Sequence, residues 1–301
     1  MSAPPIGKAY EVVTERVLAL LESGVAPWRR PFTGTAGDAA NLVSGRAYHG
    51  INALLLPALA QGSRWWLTFN QARELGGTVK RGEKGAPVVF WTFLPSRKPG
   101  AAPTDVVPFL RYFTVFNLAQ CEIADDALPA RAREVHEPRP ELEAIAACEA
   151  MLARYLPPRG PAISAGMAPC YYPVRDSVEM PRPESFLGAP ERYAVLFHEL
   201  AHSTGIATRL GRQVANRFGS EPYGREELVA EMTAAFLCDE CGIGQAVVPN
   251  QAAYLAAWIR TIKTDPRAVV VAAGAASKAA DYIRGGHTFP LPEETDDAQS
   301  A

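Results

Sequence analysis

Residues 198–202 read HELAH, placing two histidines four positions apart with a glutamate between them. On a helix, residues four apart share a face, so the imidazoles of His198 and His202 can reach one cation. Glu199 follows His198 directly, so its carboxylate stands beside the ion rather than on it. Zinc lowers the pKa of a bound water to about 7, and a neighbouring carboxylate can take that proton as the water attacks a carbonyl. The chemistry suggested is that of a metallopeptidase, with Glu199 as general base. HExxH fixes only three letters and recurs in unrelated proteins. Its setting strengthens it here, because ERYAVLFHELAHSTG is apolar and helical in period, with Gly205 as the expected C-cap.

A zinc site of this kind needs a third ligand. Thr208 stands where the pattern HExxHxxGxxH requires a histidine, which excludes that branch. The segment GREELVAEMTAAFL instead offers Glu226, Glu227 and Glu231. Glu227 and Glu231 are four apart on one face. Our reading makes Glu227 the ligand and Glu231 the acceptor behind an imidazole, with the reverse order left open. Glu226 is expected to face solvent.

These residues need elements to hold them. Apolar periodicity predicts helices at 8–23, 50–61, 68–75, 141–155, 190–204, 224–240, 250–264 and 266–284. Gly24 should stop the first helix. APVVFWTFL and PFLRYFTVFNL are rich in β-branched and aromatic residues and predict a pair of strands, with residues 95–107 as a mobile connection. Short strands are expected around 162–163 and 171–180. ADDALPARAREVHEPRP is charged, proline-containing and aperiodic, as linkers are. The expected organisation is α+β: a mixed α/β domain at 1–124, a linker at 125–140, a mainly helical domain with a small sheet at 141–290, and a disordered acidic tail at 291–301.

Composition narrows the class. Hydrophobic residues make up 48% of the 301 and charged residues 21%, the balance of a soluble protein with a sizeable core. No apolar run approaches the roughly 20 residues that span a bilayer, and the N-terminus lacks the apolar stretch of a secretory signal. We expect a cytoplasmic protein without a membrane partner. The five cysteines are scattered and odd in number, which suits a reducing compartment; Cys238 and Cys241 form a CxxC with no second pair, and read as small apolar residues at a helix end. Residues 1–124 carry 13 Lys and Arg against 8 Asp and Glu, leaving 17 against 24 for the remainder. A basic front half on an acidic rear half suggests a polyanionic partner for the former.

From Tyr10 to Ile283 the chain resembles the ArdC antirestriction proteins of conjugative plasmids and the TraC primase-type relatives that share their N-terminal part. The blocks that carry the resemblance are LESGVAPWRRPF, NLVSGRAYHGINALLL, RWWLTFNQARELGGTVKRGEKGAPVVFWTF and RYFTVFNLAQCE in front. Behind them come YYPVRDSVEMP, HELAHSTG, RFGSEPYGREELVAEMTAAFL and AWIRTIKTDPRAVVVAAGAASKAADYI. The resemblance implies an N-terminal domain that binds single-stranded DNA and a C-terminal zincin-like metallopeptidase domain. It also implies protection of incoming plasmid DNA from host restriction. Carried over, it makes His198, His202 and a glutamate of EELVAE ligands of Zn2+, with Mn2+ or another divalent metal as alternatives, and Glu199 the acid/base. One departure is HSTGI, where family members often read HWTGH, so Ser203 and Ile206 replace an aromatic and a histidine. Two other functions stay open: an active peptidase cutting a host restriction endonuclease or another protein, and a metal-stabilised interaction module.

Binding a single strand without sequence preference takes aromatic platforms for the bases and cations along the backbone. The front half offers Trp28, Tyr48, Trp65 and Trp91 as platforms, interleaved with Arg29, Arg30, Arg46, Lys80, Arg81 and Lys84. Phe69, Phe113 and Phe116 lie in apolar runs and are expected in the core.

Overall fold

The computed structural model describes residues 6–28, 39–60, 62–95, 106–133, 139–212, 221–243 and 251–285. The chain opens with helix α1 (Ile6–Glu22), which ends at Gly24 in the left-handed conformation that glycine adopts without steric cost. Strand β1 (Ala40–Asn41), helix α2 (Ile51–Ala58), strand β2 (Trp65–Thr68) and helix α3 (Phe69–Glu74) follow. α3 begins with a capping box: the Gln71 N–H donates to Thr68 Oγ1 at 3.2 Å, and the Thr68 N–H donates to Gln71 Oε1 at 2.9 Å. Strand β3 (Thr78–Val79) leads to the long strands β4 (Ala86–Pro95) and β5 (Val106–Asn117), and β6 (Cys121–Glu122) pairs with β3.

The predicted strand pair is present. β4 and β5 are antiparallel from Ala86↔Val115 to Pro95↔Val106. They form a four-stranded sheet in the order β1-β2-β5-β4, whose other two strands had no clear signal in the sequence. The outer edge of β4 is closed at Val89 by a side chain: Asn52 on α2 donates to the Val89 carbonyl at 2.7 Å and accepts the Val89 N–H at 2.9 Å. The connection expected at 95–107 falls mostly outside the described residues.

The rear half begins with helix α4 (Glu141–Tyr155) and a sheet of β7 (Ala162–Ala165), β8 (Cys170–Tyr172) and β9 (Ser177–Met180), in the order β7-β9-β8. The stretch expected as one extended segment at 171–180 is a hairpin. It turns around Asp176, whose φ of 46° is left-handed, a conformation that Asp tolerates better than most residues. Helices α5 (Ala189–Ser203), α6 (Glu221–Cys241), α7 (Gln251–Thr264) and α8 (Ala268–Arg284) complete the fold. α5 does not end on Gly205 as predicted. It ends at Ser203 with Thr204 right-handed, and the Thr204 hydroxyl donates back to the Ala201 carbonyl at 2.7 Å. No described helix is long and apolar enough to cross a membrane.

One apolar core crosses the expected domain boundary. Val13, Val17 and Leu21 of α1, Trp28, Leu55 of α2, and Val89 and Leu110 of the sheet pack with Leu228 and Met232 of α6, Trp258 and Ile262 of α7, and Val269 of α8. Trp28 and Trp258 meet edge to face, with ring centroids 5.2 Å apart. Polar contacts join the same elements: Thr14 Oγ1 donates to the Pro266 carbonyl at 2.5 Å, and Lys263 Nζ lies 2.8 Å from Glu22. The early part of the expected linker also has structure, since Leu128 and Ala132 pack against a small front-half core around Trp65 and Leu67. A second large core joins α4, α5 and β8–β9 to the other side of α6, and buries Cys148, Cys238 and Cys241 among apolar side chains. α6 therefore belongs to both cores. Cys238 and Cys241 fit the apolar reading of the CxxC.

Candidate metal centre

α5 and α6 pack side by side, and the chemistry-bearing residues lie between them. The Nε2 atoms of His198 and His202 are 3.2 Å apart. Glu227 reaches both, with one oxygen 3.6 Å from His198 Nε2 and the other 3.5 Å from His202 Nε2. His198, His202 and Glu227 together offer three donor atoms within 4.8 Å of one another. Zinc bonds of about 2.0–2.1 Å in tetrahedral geometry place neighbouring donors roughly 3.3–3.4 Å apart. The three side chains therefore already stand at the spacing such an ion needs.

The outward nitrogens are also met. His198 Nδ1 faces Glu231 Oε1 at 3.8 Å, on the side away from the shared centre. Glu227, not Glu231, is thus among the converging donors, and Glu231 stands behind the His198 imidazole. Glu226 departs from expectation. It is buried rather than solvated, with its Oε1 3.4 Å from His202 Nδ1 and its carboxylate gripped by Arg212 at 2.9 and 3.0 Å. Consecutive helical positions differ by only about 100°, and α5 fills the angle between them, so Glu226 and Glu227 both face it. Arg212 carried no sequence signal, because it lies on a loop whose path depends on the tertiary fold.

The charges shape the protonation of the metal-free site. Burial alone would push His198 down, but its hydrogen bond to Glu227 and the charges of Glu231, Glu199 and Glu227 outweigh burial and raise it to about 9. Burial likewise works against the charged forms of Glu226 and Glu227. Partners win in both cases: His202 and Arg212 hold Glu226 below its ordinary value, and His198, His202 and the Tyr223 hydroxyl do the same for Glu227.

Glu199 is buried, and its Oε2 accepts the backbone N–H of Tyr171 at 2.8 Å. That N–H points off the free edge of β8, so the small sheet sets the direction of the carboxylate. The sheet is itself tied down. The Tyr171 hydroxyl donates to Asp176 at 2.9 Å, Arg209 donates to both Asp176 oxygens at 2.8 and 2.5 Å, and Arg209 also donates to the Ser203 carbonyl at 2.7 Å. Arg209 and Asp176 thus link the hairpin to the end of α5, which spacing along the chain gave no means to foresee. At the HSTGI departure, Ser203 is fully buried against the Tyr155 hydroxyl at 2.8 Å, and Ile206 packs against the rear core.

The residues expected to bind DNA divide differently. Trp28, Tyr48 and Trp65 are buried in apolar clusters, so none presents a ring face to a base. Trp28 lies in the shared core against Trp258, Tyr48 in a cluster with Leu56, Trp66 and Val88, and Trp65 in a cluster with Leu42, Ala72 and Cys121. Trp91 is 43% exposed and stays available. Arg46, Lys80, Arg81 and Lys84 are exposed. Arg29 and Arg30 lie outside the described residues. Phe69, expected in the core, is 47% exposed at the start of α3, and Phe90, not singled out, is 45% exposed on β4. The alternation of β4 gave no signal for Phe90, since it shares a face with the buried Val88 two residues earlier.

Comparison with known proteins gives a consistent picture. Residues 7–116 match the family model of the N-terminal domain of anti-restriction factor ArdC, and residues 159–275 match that of a zincin-like metallopeptidase. The fold resembles the metal-free crystal structure of antirestriction ArdC protein from plasmid R388, with a TM-score of 0.68 and 33% identity over 91% of this chain and 96% of that one. The Mn(II)-bound structure of the same protein gives 0.69 and 32% over the same shares. The uncharacterized protein y4eC of Sinorhizobium fredii is 34% identical over 91% of both chains. DNA primase TraC of Escherichia coli is 35% identical over 95% of this chain, which spans only 28% of that longer protein.

Proposed function

Because this chain belongs to the ArdC antirestriction family, with a zincin-like metallopeptidase domain, we propose that it protects incoming DNA by joining single-stranded DNA binding to a divalent-metal centre. The observation that carries the metal reading is the convergence of His198, His202 and Glu227 at the spacing of a tetrahedral ion. Two imidazoles and one carboxylate suit zinc, and the Mn(II)-bound relative supports manganese as the alternative. A cation held there would supply Lewis-acid polarisation and lower the pKa of water.

The protein's own groups do the rest. The N–H of Tyr171 holds one oxygen of Glu199, leaving the other to accept a proton within the site. Glu226 stands 3.4 Å and Glu231 3.8 Å from the outward imidazole nitrogens, placed to orient them. This arrangement favours hydrolysis of a peptide or related carbonyl over a purely structural ion, because a structural site has no use for a buried carboxylate aligned by a strand edge. In the front half, Arg46, Lys80, Arg81 and Lys84 supply exposed cations for phosphates, and Trp91, Phe90 and Phe69 supply exposed rings for bases.

Replacing Glu199 by Ala tests the reading. Antirestriction activity is measured in cells beside wild type, with metal content and fold checked in both proteins. We expect metal to be retained and protection to fall. Protection at the wild-type level would refute the catalytic part and leave DNA binding as its basis.

A further inference from the structure

We infer that Arg212 and Glu226 form a positioning pair for His202, an assignment that rests on the metal reading proposed above. Glu226 has two partners on two elements. Its Oε1 lies 3.4 Å from His202 Nδ1, and the Arg212 guanidinium holds both oxygens, with Nε to Oε2 at 3.0 Å and Nη2 to Oε1 at 2.9 Å. Arg212 is anchored in turn to the last turn of α5. It donates to the Ala201 carbonyl at 2.8 Å and to Thr204 Oγ1 at 2.9 Å, on either side of His202 in sequence. The guanidinium therefore fixes the carboxylate relative to the helix that carries the histidine.

The chemistry of the contact sets a tautomer. A carboxylate facing a bare imidazole nitrogen would be lone pair against lone pair, so the contact is favourable only with a proton on His202 Nδ1. That leaves the Nε2 lone pair aimed at the shared centre beside His198 Nε2 and Glu227. Arg212 also cancels the charge of Glu226. It thereby keeps this buried carboxylate in its orienting place rather than as a rival ligand to Glu227. Outer partners of this kind commonly alter metal affinity about 10–100-fold.

The test uses the full-length protein and Zn2+, with affinity measured by competition against a chromophoric chelator. Glu226→Ala and Arg212→Gln should each weaken binding about 10–100-fold, and Glu226→Gln should weaken it less, since an amide oxygen still accepts from Nδ1–H. In a long-range 1H–15N spectrum of the zinc-loaded protein, His202 should show a slowly exchanging Nδ1–H. That proton should exchange faster in Glu226→Ala while the His198 signals hold. An ion pair with only a structural role would move neither readout selectively. If Glu226→Ala fails to fold, Glu226→Leu combined with Arg212→Met removes both charges together and should show the same loss. Wild-type affinity in the folded variants, or a wild-type His202 protonated on Nε2 instead, would overturn the positioning role alone. Failure of the wild type to bind Zn2+, or binding unchanged in His198→Ala, would overturn the metal reading and this assignment with it.

Discussion

Replacing Trp28 by Ala should destabilise the whole molecule, including the helices that hold the metal centre. Trp28 is 1% exposed and packs edge to face on Trp258, itself 1% exposed, across the expected boundary between halves. Truncating a buried Trp to Ala costs about 3–5 kcal/mol through lost transfer energy and the cavity left behind. The aromatic pairing adds about 0.5–1.5 kcal/mol. Against this, the Trp28 Nε1–H is buried without a hydrogen-bond partner among the described residues, so the substitution also removes an unsatisfied group whose burial costs about 1–3 kcal/mol. The balance is a loss of about 3 kcal/mol. With a urea slope of about 3 kcal/mol per M, the unfolding midpoint should fall by about 1 M. Urea titration by circular dichroism measures that shift, and amide hydrogen exchange locates it. If one core joins the halves, exchange in α5 and α6 should accelerate along with exchange in α1 and the four-stranded sheet. Faster exchange confined to the front half, with α5 and α6 unchanged, would refute the shared core.

Zn2+ binding near pH 7.5 should release a proton. The metal-free protein holds one on His198 up to about pH 9, so apparent affinity should rise with pH and level off above that value. Calorimetry in two buffers of different ionisation enthalpy counts the proton. In the metal-free protein the sign is the reverse. The folded value lies above the ordinary 6.5, so the stability His198 contributes is fully present below pH 6.5 and is lost as pH rises through about 9. Fluorescence titration of the full-length protein with a labelled oligonucleotide tests the front half, and the full chain is the right object because the core is shared. Trp91→Ala should weaken binding by about 1–3 kcal/mol if it stacks on a base, and its edge contact with Tyr10 makes thermal unfolding of the variant a necessary control. Joint replacement of Lys80, Arg81 and Lys84 by Ala should lower the salt slope by about 2. An unchanged slope would remove those three from the interface.

α6 carries both kinds of information, local and tertiary. Its helical period, and the shared face of Glu227 and Glu231, could be read from spacing. The burial of Glu226 could not, because the angle it covers is filled by α5, a neighbour that periodicity does not name. The aromatics failed in the same way. Trp28, Tyr48 and Trp65 sit among basic residues in sequence, yet each is covered by elements distant along the chain, while Phe69 lies in an apolar run and is exposed. Charge and aromatic density along a sequence do not say which side of a sheet is covered.

By itself, the sequence determined the helices, the long strand pair and the two histidines on one helical face. Each follows from backbone geometry that repeats every two or four residues, and a local pattern records it. Only the tertiary structure decided the rest. It brought Glu227 between the imidazoles, turned Glu199 onto the edge of β8, set Arg212 and Arg209 against α5, and ran one core through both halves. Most of these contacts join residues on different elements, up to hundreds of positions apart, and even the nearer ones, those of Arg209 and Arg212 with α5, depend on the path of a loop that no repeat encodes. A periodic pattern marks which face will be buried but not the face it will meet.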